Sequence, residues 1–400
     1  MPILLDWAEF FLRWLHVVAA IMWVGLALGF LRLNLNLKST RTDVFRAADD
    51  GMFRISRDLN VSADTQPQIG WFRWETYVAW LSGFALLVAI YFFKADLYLV
   101  DPQVLDIWPW QAILIALLSL VVGFVGYDYL AKAPWRETTR RIVIAAYLVA
   151  LAFALTRIFS GRGAFLMFGA ILGTIMAANV AHYLVPNQRR LLEAIRKGEA
   201  PDENRFAISR QRALHNNYLA LPVVFLMLAT HYPLAFASRF NWAIAALALV
   251  AGAAIRHFYV ARHRGSGDLW WTWALAGAAG LAMVALTFFG MEKPQARAAV
   301  PANAMDAIAS VVAPRFADIA EIVEVRCAVC HAQNPAWPGL AAAPGGLALE
   351  TPAQIFAHAG AIARASVWTR AMPPPGAGVP MGDKERRLLA LWLSQNAFMR

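Results

Sequence analysis

Long apolar stretches alternate with short polar connections along the first three quarters of the chain. A helix that crosses a bilayer needs about 20 mostly apolar residues, and we identify eight stretches of about that length. They predict membrane spans at residues 10–31, 75–93, 108–130, 141–158, 164–185, 218–236, 242–260 and 270–291. The last hundred residues are more polar and contain no stretch long enough to span.

Composition and loop charge support a multi-pass membrane protein. Hydrophobic residues make up 60% of the chain and charged residues 16%, whereas a soluble domain carries about 25% charged residues. Lys and Arg concentrate in the first, third, fifth and seventh connections, which the positive-inside rule places in the cytoplasm. Both termini are then outside. The net charge of +10 therefore needs no nucleic-acid partner, and the predicted location is the bilayer of the bacterial cytoplasmic (inner) membrane.

The two cysteines of the chain share one motif, Cys327-Ala328-Val329-Cys330-His331. This spacing is the attachment motif of c-type haem, in which both thiols bond to the porphyrin and the adjacent imidazole ligates the iron. A methionine as the sixth ligand gives an electron carrier of raised potential. We predict Met372, in a proline-rich stretch, with Met381 as the alternative. A redox dithiol is a rival interpretation, and a zinc site would need further ligands at suitable spacing.

A helix that runs into this motif is predicted at residues 317–330, and an amphipathic C-terminal helix is predicted at residues 384–397. The predicted fold class is therefore all-α: an eight-helix transmembrane bundle followed by a small α-helical, class I-like cytochrome c domain. The predicted divisions are a transmembrane domain at 1–292, a linker at 293–308 and a periplasmic cytochrome c domain at 309–400.

Ionisable residues at membrane depth are candidates for function because they are costly to bury there. One hypothesis is that His16 and His231, near the predicted outer side, ligate a b-type haem or another metal. Another is that polar groups form a pocket for a planar, hydrogen-bonding molecule. The third is that each histidine only hydrogen-bonds within the bundle.

Several strings resemble a known family, the membrane-bound bacterial urate hydroxylases that carry a C-terminal cytochrome c domain. The strings include Arg-Trp-Leu-His-Val-Val at 13–18, Phe-Ser-Gly-Arg at 159–162, Pro-Asn-Gln at 186–188, Leu-His-Asn-Asn-Tyr at 214–218 and Arg-His at 256–257. The resemblance implies that urate is oxidised to 5-hydroxyisourate. Urate, or a similar planar molecule, is therefore the expected ligand. Electrons would leave through the haem c towards a respiratory acceptor.

On this hypothesis the membrane site uses polar residues from several spans. Three are assigned to catalysis: Glu75, His215 and His257. Five are assigned to substrate binding: Arg162, Asn187, Gln188, Asn216 and Asn217.

The chain also departs from the family pattern. The family's His-Gly-Gly-Gly-Phe-Tyr string is replaced by Ala-Asp-Asp-Gly-Met-Phe at 48–53, and Met167 stands where the family tends to have a histidine. His182 is an additional histidine. These departures favour an alternative, a divergent electron-transfer protein whose membrane domain anchors the cytochrome and holds haem b. A transporter-like or sensor bundle with a redox domain is a third hypothesis.

Overall fold

The structure is a computed structural model of the 400-residue chain. It describes residues 2–36, 43–48, 51–56, 73–197, 199, 202–290, 314–338, 340, 342–377 and 379–395. The predicted linker at 293–308 and residues 49–50 of the departing string lie outside the described residues.

The described chain is mostly helical, as predicted. Among the residues described before 291 there are eleven α-helices: α1 (Pro2–Asn36), α2 (Trp74–Leu86), α3 (Ala95–Tyr98), α4 (Pro109–Lys132), α5 (Glu137–Thr156), α6 (Gly161–Asn179), α7 (Val185–Lys197), α8 (Glu203–Ala229), α9 (Pro233–Phe236), α10 (Asn241–Arg264) and α11 (Trp271–Gly290). Wider π-helical turns, Leu87–Phe92 and Val180–Leu184, extend α2 and join α6 to α7. An antiparallel hairpin, β1 (Asp43–Ala48) with β2 (Gly51–Ser56), was not predicted.

Seven of the described helical segments are long and apolar enough to cross a membrane. They correspond to all the predicted spans except the sixth. That prediction, at 218–236, misplaced its helix, because α8 begins at Glu203 and ends at Ala229. Asp202 caps the start by accepting hydrogen bonds from the backbone N–H groups of Asn204 and Arg205. The chain turns before Pro233, since proline disfavours a helical conformation at the residue before it.

The burial pattern is that of a bundle in an apolar solvent. The central helix is α6, in which Phe165, Met167 and Ile171 are completely buried. Large apolar side chains on the outer helices are exposed instead, among them Leu281 at 74% and Phe289 at 72%. An exposed apolar surface of this extent marks contact with another apolar phase, which fits a lipid-facing surface.

Successive long helices run in alternate directions, so the bundle has two ends. We call the end that carries Tyr98, Arg162 and His231 the proximal end, because it faces the C-terminal residues. The opposite end, where α4 and α6 finish and α8 begins, is the distal end.

Residues 314–395, the C-terminal unit, form a second core. The unit contains helices Phe316–Val323, Pro352–Ala357, Ala359–Ile362 and Asp383–Gln395. Ile319, Val323, Leu389 and Leu393 are completely buried in it. Helices were predicted near both ends of this unit, and the structure has them there; the first continues as a π-helical turn, Glu324–Ala328, into the Cys-x-x-Cys-His motif.

The C-terminal unit touches the proximal end through the loop at residues 371–377 and through a π-helical turn, Ala363–Trp368, which contacts α9. Ala371 packs against the core of the bundle. A Cβ atom at Gly376 would overlap the backbone carbonyl of Asp96 and lie close to that of Val100. Only glycine therefore allows this loop to approach the segment that follows α2 so closely.

Candidate functional site

A cavity of about 2370 Å³ lies between the proximal end and the C-terminal unit. The C-terminal unit contributes the four residues predicted for haem attachment and ligation: Cys327, Cys330, His331 and Met372. The bundle contributes charged and aromatic residues: Glu9, Arg13, Lys94, Asp96, Tyr98, Asp101, Arg157, Arg162, His231 and Arg239. The structure thus collects the whole predicted haem set around one space.

His331 is arranged as a metal-ligating histidine would be. Its Nδ1 lies 2.8 Å from the backbone oxygen of Leu347. Donation from Nδ1 to a carbonyl fixes the tautomer and leaves Nε2 free for a metal, which is the usual arrangement around ligating histidines. Burial also lowers the pKa of His331, which favours the neutral form that binds a metal.

The two methionines considered for the sixth ligand lie in different environments. Met372 lines the cavity, and its backbone is held by two hydrogen bonds, from Met372 N–H to Ala365 O at 2.9 Å and from Arg386 to Met372 O at 3.0 Å. Met381 is buried among the core residues of the C-terminal unit. The surroundings therefore fit Met372 better than Met381.

The cysteines do not resemble a redox dithiol. Burial raises the pKa of Cys327 to about 12 and also raises that of Cys330. A reactive dithiol needs a thiolate, which requires a lowered pKa. Among the described residues no group of three or more His, Cys, Asp or Glu side chains is arranged to hold a metal ion. Covalent haem attachment is the interpretation that these residues fit.

The wall that the bundle contributes to the cavity is rich in arginine. Arg157, Arg162 and Arg239 have no carboxylate at salt-bridge distance within the described part of the chain, whereas Arg13 pairs with Glu9. The Arg162 guanidinium lies 4.8 Å from the ring centroid of Tyr98. Its Nε atom is buried and lacks a hydrogen-bond partner.

The distal end contains a different arrangement, a network of polar side chains bonded to one another. Tyr127 Oη lies 2.7 Å from His215 Nδ1. Asn179 donates to Tyr127 Oη at 3.0 Å and to Asn216 Oδ1 at 2.8 Å, and Asn216 donates to Met176 O at 2.9 Å.

A charged group adjoins this network. Arg212, 1% exposed, donates to Asp128 at 2.8 Å. Asp128 also pairs with Lys132 at 2.7 Å and accepts a hydrogen bond from Tyr183 at 2.5 Å. The Arg212 guanidinium lies over the rings of Tyr127 and Tyr183, so the buried charge has both a counter-ion and aromatic neighbours.

Further pairs complete the distal end. Asn217 accepts a hydrogen bond from Arg256 and donates to Ala27 O at 3.1 Å. His257 Nδ1 lies 2.8 Å from the Tyr218 hydroxyl. Asn187, on α7, donates to Ser209 Oγ at 2.9 Å.

The structure divides the residues assigned to substrate and catalysis between the two ends. His215, Asn216, Asn217, His257 and Asn187 meet distal partners, as given above. Arg162 is at the other end of α6, about 25 Å along the helix from Asn179 by the helical rise.

Two assigned residues stand apart from the distal network. Glu75 lies on α2 with a buried Oε2 atom that has no partner. Gln188 has no described hydrogen bond.

The two histidines proposed as a haem b pair also have different surroundings. His16 Nδ1 lies 2.9 Å from Ala79 O and 3.2 Å from Ser82 Oγ, so it packs against α2. His231 lines the cavity. No hydrogen bond or ring contact between the two is present among the described residues, and haem b ligation remains a prediction.

Sequence reasoning missed three members of the distal network: Tyr127, Asp128 and Arg212. A signal for the charged members was available, since an aspartate and an arginine within predominantly apolar helical segments are costly unless paired. No sequence pattern indicated which of them would meet, because Asp128 and Arg212 are 84 residues apart.

The fold and the cavity together define a class: a helical bundle suited to a membrane, joined to a unit with a haem c attachment motif. Comparison with known families then assigns the bundle to a family. The model of the urate oxidase N-terminal family matches residues 2–288, so the chain belongs to that family, and this membership indicates an oxidoreductase. No curated protein and no solved structure matches the chain significantly.

Proposed function

We propose that the protein is a membrane-bound oxidoreductase of the urate hydroxylase type. It oxidises urate to 5-hydroxyisourate and passes the electrons through a covalent haem c. The observation that carries the proposal is the cavity in which Cys327, Cys330, His331 and Met372 face the bundle, because a haem held there would lie directly against a domain of the urate oxidase N-terminal family.

The chemistry requires an electron exit. Urate and one water give 5-hydroxyisourate, two protons and two electrons. A bound haem c supplies a one-electron carrier, so the electrons leave singly to a respiratory acceptor outside the protein. Cys327 and Cys330 would hold the haem covalently, and His331 and Met372 would ligate its iron. The loop charges favour insertion in the bacterial inner membrane with the C-terminal unit on the periplasmic side.

The decisive experiment is anaerobic addition of urate to the purified, oxidised full chain, followed at the haem absorption band. Prompt reduction by urate, but not by xanthine or adenine at equal concentration, is expected. Dithionite gives the signal for complete reduction. If dithionite reduces the haem and urate does not, the proposed activity is wrong for this protein.

The mutual hydrogen bonds at the distal end favour a second function, in which the bundle only anchors an electron carrier, because such bonds hold helices together without a ligand. In that case urate leaves the haem oxidised. A pyridine haemochrome spectrum addresses haem b separately: a pure c-type spectrum would remove ligation by His16 and His231.

A further inference from the structure

We infer that the anionic substrate binds at the proximal end, in the cavity shared with the haem motif, with Arg162 as its principal ligand. This inference rests on the proposed function and gives it a location. It places the substrate away from the distal network, to which most of the assigned residues belong.

Charge is the first argument. The bundle contributes five cationic side chains to the cavity, Arg13, Lys94, Arg157, Arg162 and Arg239, against three acidic ones, Glu9, Asp96 and Asp101. The C-terminal unit adds Arg326 and Arg370, but these pair with Glu385 and Asp383, so the excess comes from the bundle. A concave surface with an excess of one charge raises the local concentration of oppositely charged ligands. Urate, a weak acid that is anionic at neutral pH, has the required sign.

The surroundings of Arg162 are the second argument. It stands in the first turn of α6, with its guanidinium between Tyr98 and Tyr91, at 4.8 and 5.9 Å from their ring centroids. The aromatic rings hold its position, and the side chain lines the cavity with no carboxylate at salt-bridge distance among the described residues. A buried Nε without a partner does not distinguish Arg162, since Arg212 and Arg256 at the distal end have one too. A planar anion with adjacent oxygen and nitrogen acceptors can bind a guanidinium at two positions.

Size and lining are the third argument. Pockets for small molecules typically enclose about 300–1,000 Å³, and this cavity is larger, at about 2370 Å³. It can hold a flat molecule in addition to the group bound at Cys327 and Cys330. Tyr98, Trp337 and Trp368 line it, and aromatic faces suit a planar ring.

Position is the fourth argument. A molecule beside Arg162 shares its cavity with His331 and Met372, so its electrons need no relay through the bundle. A molecule bound in the distal network would be separated from Arg162 by about 25 Å of helix.

The test compares urate binding and haem reduction in three variants of the full, haem-loaded chain. Arg162→Gln removes the proposed ligand. Arg205→Gln is the matched control, since it removes the same charge from an exposed distal pair with Asp202. His257→Gln tests the distal alternative. Anaerobic equilibrium dialysis of radiolabelled urate against protein whose haem has been reduced beforehand measures binding without turnover, because no electron acceptor is left. Ascorbate reduction of the oxidised variants checks that each haem is intact.

Arg162→Gln should weaken urate binding at least about tenfold, the loss expected for a hydrogen bond to a charged group. Arg205→Gln and His257→Gln should bind urate as the unaltered chain does, and Arg162→Lys should recover part of the affinity. Ascorbate should reduce all of them equally, with an unchanged midpoint potential.

Three outcomes overturn the inference. One is that Arg162→Gln binds urate normally while His257→Gln does not, which would place the site at the distal end. Another is that Arg162→Gln alters haem content or potential with unchanged urate binding, so that Arg162 serves the haem. The third is that the unaltered chain does not bind urate. If it binds urate through Arg162 without haem reduction, the site stands and the proposed activity fails.

Discussion

The two ends of the bundle place their polar groups in different surroundings. At the distal end they bond mainly to each other, as Tyr127 does to His215 and Arg212 to Asp128, and atoms left without a partner, such as Arg212 Nε, are enclosed by protein. At the proximal end Arg157, Arg162 and Arg239 line a cavity. Polar residues in a membrane domain are therefore not evidence of binding by number alone. Those bonded to one another hold helices together, while those that line a cavity are available to a ligand.

The largest effect should come from the proximal side, at the haem attachment. Cys327→Ala removes one of the two thiols that bond to the porphyrin, and we expect haem staining on a denaturing gel to disappear. Val329→Ala, in the same motif, leaves both thiols and should retain the stain. Persistence of covalent haem in Cys327→Ala would show that attachment does not depend on this thiol, and its persistence in a variant that lacks both Cys327 and Cys330 would show that the motif is not the attachment site.

Asp128→Asn should have the largest effect at the distal end. It leaves the Arg212 guanidinium, 1% exposed, without its counter-charge, and breaking a buried pair in this way costs about 3 kcal/mol of unfolding free energy. Thermal melting in detergent measures the loss. Asp202→Asn is the control, because its pair with Arg205 is exposed and contributes less than about 1 kcal/mol. Equal melting of the two variants would refute a structural role for the distal charges.

Tyr127→Phe is a milder test of the same network. It deletes the hydroxyl that contacts His215 and accepts from Asn179, at a cost of about 1–3 kcal/mol for the groups left unsatisfied. Tyr129→Phe alters an exposed tyrosine on the same helix and should melt unchanged. If instead Tyr127→Phe melted normally but lost urate binding, the distal end would be the binding site.

The smallest effect concerns acid stability of the C-terminal unit. Despite the opposing effect of burial, hydrogen bonds from Gly382 N–H and Arg326 lower the pKa of Glu385 below its usual 4.5. Its folded pKa is below the unfolded one, so the stabilisation is present above pH about 4.5 and is lost as the pH falls through the folded value. The contribution is at most about 1 kcal/mol. Melting of the chain and of Glu385→Gln should converge at low pH, and a constant difference would contradict the pairing.

Local and strongly periodic features could be predicted from the sequence. Apolar length alone predicted most spans, because a bilayer requires it, and the Cys327–His331 spacing predicted a haem set that the structure gathers around one cavity. The start of α8 could not be found in this way, since its first two turns are polar and their helical state depends on the Asp202 cap. The placement of Arg162 and Asn216 at opposite ends of the bundle could not be predicted from the sequence either, because it depends on how the helices pack in three dimensions.

The loop at 371–377 that carries Met372 also meets the bundle, with Gly376 against the backbone of Asp96, and the turn Ala363–Trp368 contacts α9. Because both partners belong to one chain, their effective concentration does not depend on the concentration of the protein. A contact too small to hold separate molecules together is then enough to keep the C-terminal unit against the bundle for most of the time, so covalent fusion substitutes for binding strength.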